Sequence, residues 1–287
     1  MARRLTFKRL PPLEKEDLLA DLVLDSESFD SFGPAAFGLK NLDRESRVRD
    51  VLVACFDLEG FTRFSESPNP QLFVPHFVKQ FLDWLFLAIK TAVLEEPAER
   101  TVTQKGKSRT VKRLYGPLPF LGKYTGDGML LLFEVNGPDV RQFCKKMRRA
   151  VEPEVQGDIW NTISALYDVC YKRYPNEFVS SVRKEYSKIP GRLRCGIATG
   201  QVCSIGREVD FVGPCINMAS RLQKFNGLGF CVHKKGIWDK KNPSDKLADL
   251  FVTKKAEIRG IGEELLLVLR EEFEKLNAED QKSFKEP

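Results

Sequence analysis

Residues 51–62 read VLVACFDLEGFT, and the fold of the chain turns on how they are interpreted. The run VLVACF is apolar and rich in β-branched residues, the pattern of a buried strand. It ends on Asp57, and Gly60 stands where the chain must turn. A carboxylate at the end of a core strand, beside a glycine that admits a ligand to the backbone, can hold a hard metal ion. The same aspartate can instead cap the helix beginning near Thr62 or close an Asx-turn. This stretch alone leaves both readings open.

Two later stretches bear on the choice. Lys123-Tyr124-Thr125-Gly126-Asp127-Gly128 precedes the apolar run MLLLF, so the pattern is strand, Gly-Asp-Gly turn, strand: a β-hairpin carrying Asp127 at its tip. Further on, LRCGIATG (193–200) is followed by Asp210-Phe211-Val212-Gly213-Pro214 and a helix start, CINMASRL, in which Asn217 and Arg221 share one face. Each feature is ordinary alone. Their joint occurrence in this order is not.

In these stretches the sequence resembles the catalytic domain of the class III nucleotidyl cyclases, the adenylate and guanylate cyclase superfamily. FDLEGFT is similar to the segment around that family's first metal aspartate, with Cys55 where a leading Phe is usual; KYTGDG is similar to the segment of its second. GIATG resembles a strand of the family and GPCINMASR its Asn/Arg helix. The resemblance spans residues 48–271. It implies an α+β, ferredoxin-like domain with a mixed, mostly antiparallel sheet flanked by helices. It also implies two divalent ions, Mn²⁺ or Mg²⁺, held by Asp57, Asp127 and the Leu58 carbonyl, and catalytic roles for Asn217 on the ribose and Arg221 on the α-phosphate. Substrate contacts are implied for Cys55, Phe61, Lys123, Asp210 and, more loosely, Arg259. Because the family draws its metal aspartates and its Asn/Arg pair from opposite subunits, a homodimer is implied.

Composition agrees with one large globular domain. The 287 residues are 42% hydrophobic and 30% charged, and the net charge is a mild +6, which suits a polyphosphate ligand and also weak nucleic-acid contact. No aromatic strand pattern of an RNA-binding kind is present, so no nucleic-acid partner is expected. No run is read as reaching the ~18 apolar residues of a membrane span, and MARRLTFKRLPPLEKEDLL lacks a signal core, so a cytoplasmic location is expected. Seven scattered cysteines without CxxC pairs read as reduced, buried thiols.

Along the chain, residues 1–47 read as an extension with an amphipathic stretch at 14–24. Phe73, Phe77, Phe81, Leu85 and Ile89 predict a helix over 70–94, on which His76 and Trp84 are packing or surface residues. Residues 95–113 read as a solvated basic loop. One or two helices fall within 137–174, with Phe143, Met147, Ile159, Ile163, Leu166 and Val169 facing inward and Cys144 and Cys170 among them. A strand at 229–233 and a hairpin over 247–271 close the domain, and residues 272–287 read as a charged tail that frays.

The two metal aspartates lie at strand ends facing a ligand, so replacing them is expected to leave the fold intact. Lys123 and Asp210 match the pair that reads adenine in the resembled family, which argues against guanine. Cytosine presents the same donor–acceptor edge as adenine and uracil the inverse, so the base stays open among A, C and U. An architecture without sensor modules resembles the stand-alone bacterial Pycsar cyclases, which implies cUMP or cCMP as a second messenger in anti-phage defence, acting on a cyclic-nucleotide-activated effector. An adenylate cyclase is the alternative, and a catalytically inactive nucleotide-binding homologue a further one.

Overall fold

The computed structural model describes residues 26–30, 47–66, 69–104, 107–114, 116–135, 151–186, 188–205, 210–237 and 249–287. The chain divides into two units, Met1–Val48 with Val202–Val212, and Arg49–Gln201 with Gly213–Pro287. In the first unit, helix α1 (Ser26–Asp30) and strand β7 (Asp210–Val212) are described, and β7 pairs antiparallel with Cys203–Ile205. Arg47 and Ser204 exchange two hydrogen bonds there: Arg47 N donates to Ser204 Oγ and Ser204 N to the Arg47 carbonyl (2.9 and 3.0 Å). The amphipathic stretch at 14–24, and Phe143, Cys144 and Met147, lie outside the described residues.

The second unit carries the sheet. Its strands are β1 (Val48–Glu59), β4 (Leu121–Tyr124), β5 (Gly128–Glu134), β6 (Arg192–Ile205), β8 (Phe230–His233), β9 (Phe251–Ile258), β10 (Gly262–Leu269) and β11 (Phe284–Lys285). Among the described residues they run in the order β11-β9-β10-β8-β6-β1-β5-β4. Pairs β1–β5, β4–β5, β8–β10, β9–β10 and β9–β11 are antiparallel, and β6–β8 is parallel. This is the mixed, mostly antiparallel α+β architecture expected. Strand β1 is central and buried from Val51 to Leu58, which is why its sequence shows no alternation.

One face of the sheet is covered by helices. Helix α3 (Pro70–Ala92) opens on Pro70 at a position where no amide donor is needed, and it buries Phe77, Phe81, Leu85, Ala88, Ile89 and Ala92 as a single stripe. Against it packs α4 (Val151–Asp168), which continues as π-helical turns over Val169–Val179. Pro175 lies in that stretch and lacks the amide that a regular helical ladder would use. Ile159, Ile163, Leu166, Val169 and Cys170 are buried as expected, and Phe77, Phe81, Trp84, Tyr174 and Phe178 form a continuous aromatic cluster. His76 is exposed, and Trp84 packs in that cluster.

Three expectations are corrected. Residues 95–113 are not a loop: β2 (Leu94–Gln104) and β3 (Lys107–Leu114) pair as a separate antiparallel ribbon, with Thr101 opposite Thr110 and Val102 opposite Arg109. The inner backbone groups of the two strands pair with each other and the outer ones are left to solvent, so a basic, polar composition is compatible with the ribbon and hid the β-branched residues that form it. The tail does not fray. It forms two short helices, Arg270–Lys275 and Ala278–Lys282, and returns as β11 to pair with β9, burying Phe284 against Phe225 and Phe273. Finally, α3 is long and apolar enough to cross a membrane by length and composition, contrary to the reading that no run is. Its buried stripe faces the core cluster, and its other side carries a Lys79–Asp83 ion pair together with the exposed Leu72, Phe86 and Leu87.

Candidate active site

The face of the sheet opposite α3 and α4 carries the site. Along β1, Ala54, Phe56 and Leu58 join the helix-covered core, so Cys55 and Asp57 point to the other side. Asp57 pairs in register with Gly128, and a Cβ at Gly128 would lie 1.9 Å from the Phe56 carbonyl, so only glycine lets β5 approach β1 here. Asp127 directly precedes that glycine, and the Leu58 amide donates to the Asp127 carbonyl (2.9 Å). The two aspartates, far apart in sequence, are thereby fixed side by side.

Their charges are balanced by two cations that the sequence did not single out. Asp57 is only 1% exposed, and its Oδ2 accepts from Arg194 Nε at 2.9 Å and from Arg194 Nη2. The Lys224 ammonium sits between the pair, 2.8 Å from Asp57 Oδ1 and 3.1 Å from Asp127 Oδ2. Asp57 Oδ1 is buried, and the Lys224 ammonium is its ion-pair partner. Burial works against the charge on Lys224, but the hydrogen bonds and charges of Asp57 and Asp127 outweigh it and raise the ammonium pKa. Burial likewise opposes the charge on Asp127, and Lys224 with its hydrogen bond outweighs it, lowering the carboxyl pKa. Beyond Arg194 the ion pairs continue through Glu59 to Arg192 and Glu272.

Arg194 was legible in part: a cation inside an otherwise apolar strand calls for a buried partner. Lys224 was not, because a lysine just past a helix C-terminus is ordinary.

The donor set fits a hard divalent cation. Two carboxylates on one face, with Asp57 Oδ1 and Asp127 Oδ2 turned toward a common cation position, supply oxygen ligands that phosphate and water can complete. Among the described residues no group of three or more His, Cys, Asp or Glu gathers, so a cage made of protein side chains alone is not formed there.

Helix α5 (Pro214–Leu222) packs on this face through Cys215, Met218, Ala219 and Leu222, leaving Asn217 and Arg221 exposed together as the spacing required. A Cβ at Gly196 would lie 2.2 Å from the Ala219 carbonyl oxygen and 2.3 Å from the Gln223 amide nitrogen, so the end of α5 rests directly on β6. Arg221 Nη1 donates to the Arg259 carbonyl in the β9–β10 turn, which brings those two predicted residues together. Among the described residues, no hydrogen bond or ion pair joins Asn217, Arg221 or Arg259 to Asp57 or Asp127. Lys123 is opposite Leu130, itself opposite Cys55, so all three form one row across β4, β5 and β1 on the face of Asp57. Cys55 is buried, and burial followed by the neighbouring Cys215 pushes its thiol up to about 12. Asp210 opens β7 in the first unit, half-buried, its Oδ1 accepting from the Phe211 amide (2.9 Å). In α2 (Phe61–Ser65) the Phe61 ring is buried against Phe64 and Phe77.

No family profile matches the chain, and no curated protein matches it. Solved structures to which it is similar include the guanylyl cyclase Cya2, at 17% identity and a TM-score of 0.45, over 78% of this chain and 93% of that one. A bacterial light-regulated adenylyl cyclase is similar at 12% identity and 0.43, over 80% of this chain and 53% of that one. An adenylate/guanylate cyclase/hydrolase from Silicibacter pomeroyi is similar at 16% identity and 0.40, over 78% and 98%.

Proposed function

We propose that the chain is a nucleotidyl cyclase that closes a nucleoside triphosphate to its 3′,5′-cyclic monophosphate and releases pyrophosphate. The observation that carries this reading is the meeting of Asp57 and Asp127 on one sheet face around a single cationic position. The reaction needs the 3′-hydroxyl to attack the α-phosphorus while charge spreads over the phosphoryl oxygens. Asp57 and Asp127, with the Leu58 carbonyl, would hold two divalent ions, whose chemistry is to lower the hydroxyl pKa and neutralise the leaving group. Arg194 fixes one oxygen of Asp57 and so orients the other toward the ligand. Arg221 supplies a guanidinium for charge at the α-phosphate, Arg259 binds the outer phosphates, and Asn217 positions the ribose. Since no hydrogen bond or ion pair joins Asn217 or Arg221 to the aspartates of their own chain among the described residues, a homodimer sharing two sites completes the constellation.

The base is assigned to Lys123 and Asp210. The preferred substrate is a pyrimidine triphosphate, UTP or CTP, giving cUMP or cCMP as a messenger for a defence effector, with ATP second. Purified chain incubated with ATP, CTP, GTP or UTP and Mg²⁺ or Mn²⁺ tests both levels. One cyclic product is expected, with GTP the poorest purine. Turnover of GTP equal to the best other triphosphate removes Lys123 and Asp210 as base readers, and no product from any triphosphate leaves an inactive nucleotide-binding homologue.

The shared site has its own test. Asp57→Asn and Arg221→Ala chains, each inactive alone, are expected to regain up to about one site in four on mixing if subunits exchange freely. Mixtures as inactive as either variant, with exchange demonstrated, place each site within one chain.

A further inference from the structure

Lys224 has a role that the cyclase reading does not use. It lies just beyond the last residue of α5, with its side chain 48% exposed, while its ammonium reaches back to both aspartates. The two cations on Asp57 are held differently. Arg194 is 16% exposed and grips Oδ2 through two guanidinium nitrogens, the geometry of a permanent partner. Lys224 divides one ammonium between Asp57 Oδ1 and Asp127 Oδ2 and is a flexible, half-exposed point charge on a long stem. Oδ1 and Asp127 Oδ2 are also the oxygens that a cation between the two carboxylates would use. A divalent ion there would stand about a hydrogen bond's length from the ammonium, and charges of like sign at that distance do not coexist without strong opposing partners.

We propose that Lys224 is the resident counter-cation of the aspartate pair: it holds Asp57 and Asp127 together in the metal-free chain and gives up its place when a divalent cation enters. The inference rests on the metal-dependent reading of the site and adds a residue to it. Metal and lysine compete for the same two oxygens, so Lys224 sets the cation concentration at which the site assembles, and Arg194 keeps Asp57 oriented throughout the exchange.

Mn²⁺ binding to the full chain, followed by loss of the free-ion electron paramagnetic resonance signal without nucleotide, tests the competition. Lys224→Met is expected to bind Mn²⁺ at least about tenfold tighter than wild type, because one opposing charge is removed from the ligand oxygens. Lys224→Gln, which stays polar, should gain similarly, and Lys224→Arg should not gain. In thermal unfolding, the metal-free midpoint of Lys224→Met should lie below wild type, and the rise on adding Mn²⁺ should exceed the wild-type rise. Equal or weaker Mn²⁺ affinity in both Lys224→Met and Lys224→Gln overturns the inference. If those variants gain affinity, and Asp57→Asn abolishes it, while no triphosphate is cyclised, the inference stands and the cyclase reading falls. If no Asp57-dependent Mn²⁺ binding occurs in any variant, both fall.

Discussion

An Asp57→Ala chain is expected to lose at least about 10³-fold in turnover and also to lose stability. The loss of rate follows from removing a ligand oxygen at the position where transition-state charge must be met. The loss of stability follows from the surroundings of the carboxylate, whereas the sequence alone predicted an intact fold. Asp57 is buried and paired with Arg194, itself only 16% exposed, so alanine leaves a guanidinium without its partner in a poorly solvated place. Breaking a buried pair on one side costs roughly 3–5 kcal/mol. Asp127 is one-third exposed and has Lys224 as its partner, so Asp127→Ala should match the loss of turnover with little change in stability. Chemical denaturation of the two variants beside their product assays separates the effects. Equal stability of Asp57→Ala and wild type would mean that the Arg194 pair contributes nothing to the fold.

The second large effect is expected at a position without a side chain. Gly196→Ala places a methyl group within 2.8 Å of three backbone atoms of the α5 terminus, those of Ala219, Leu222 and Gln223. Backbone cannot rotate away as a side-chain tip can, so the helix end must lift from β6 or the strand must bend. Overpacking of this kind costs about 1–3 kcal/mol. Lifting the end also moves Arg221 and Lys224, and displacement by about 1 Å at a reacting site costs on the order of 10²-fold in rate. The variant should therefore show reduced turnover for every triphosphate alike, with Mn²⁺ affinity changed because Lys224 has left the aspartates. Wild-type turnover in Gly196→Ala would mean that the seat of α5 on β6 does not position the site.

What the sequence determined by itself was local in origin. The unbroken apolar run ending at Asp57 specified a central strand, because a strand buried on both faces has no polar side to show. The spacing of Phe77, Phe81, Leu85 and Ile89 specified α3 and its buried stripe, and the four-residue interval from Asn217 to Arg221 placed both on the open face of α5. That Asp57 and Asp127 share one site was implied by the resemblance of FDLEGFT and KYTGDG to the cyclase family rather than by the residues themselves. Composition misled where backbone pairing outweighed it: a basic segment formed a ribbon, and a charged tail found the exposed edge of β9.

Only the tertiary structure decided who neutralises the aspartates. Arg194 meets Asp57 because β6 lies beside β1 with matching faces, and Lys224 meets both carboxylates because Gly196 lets the end of α5 rest on the sheet. Neither contact has a period or spacing in the chain. Each is set by which strands become neighbours and how closely they are approached, and charge pairing depends on those distances and on the burial that goes with them.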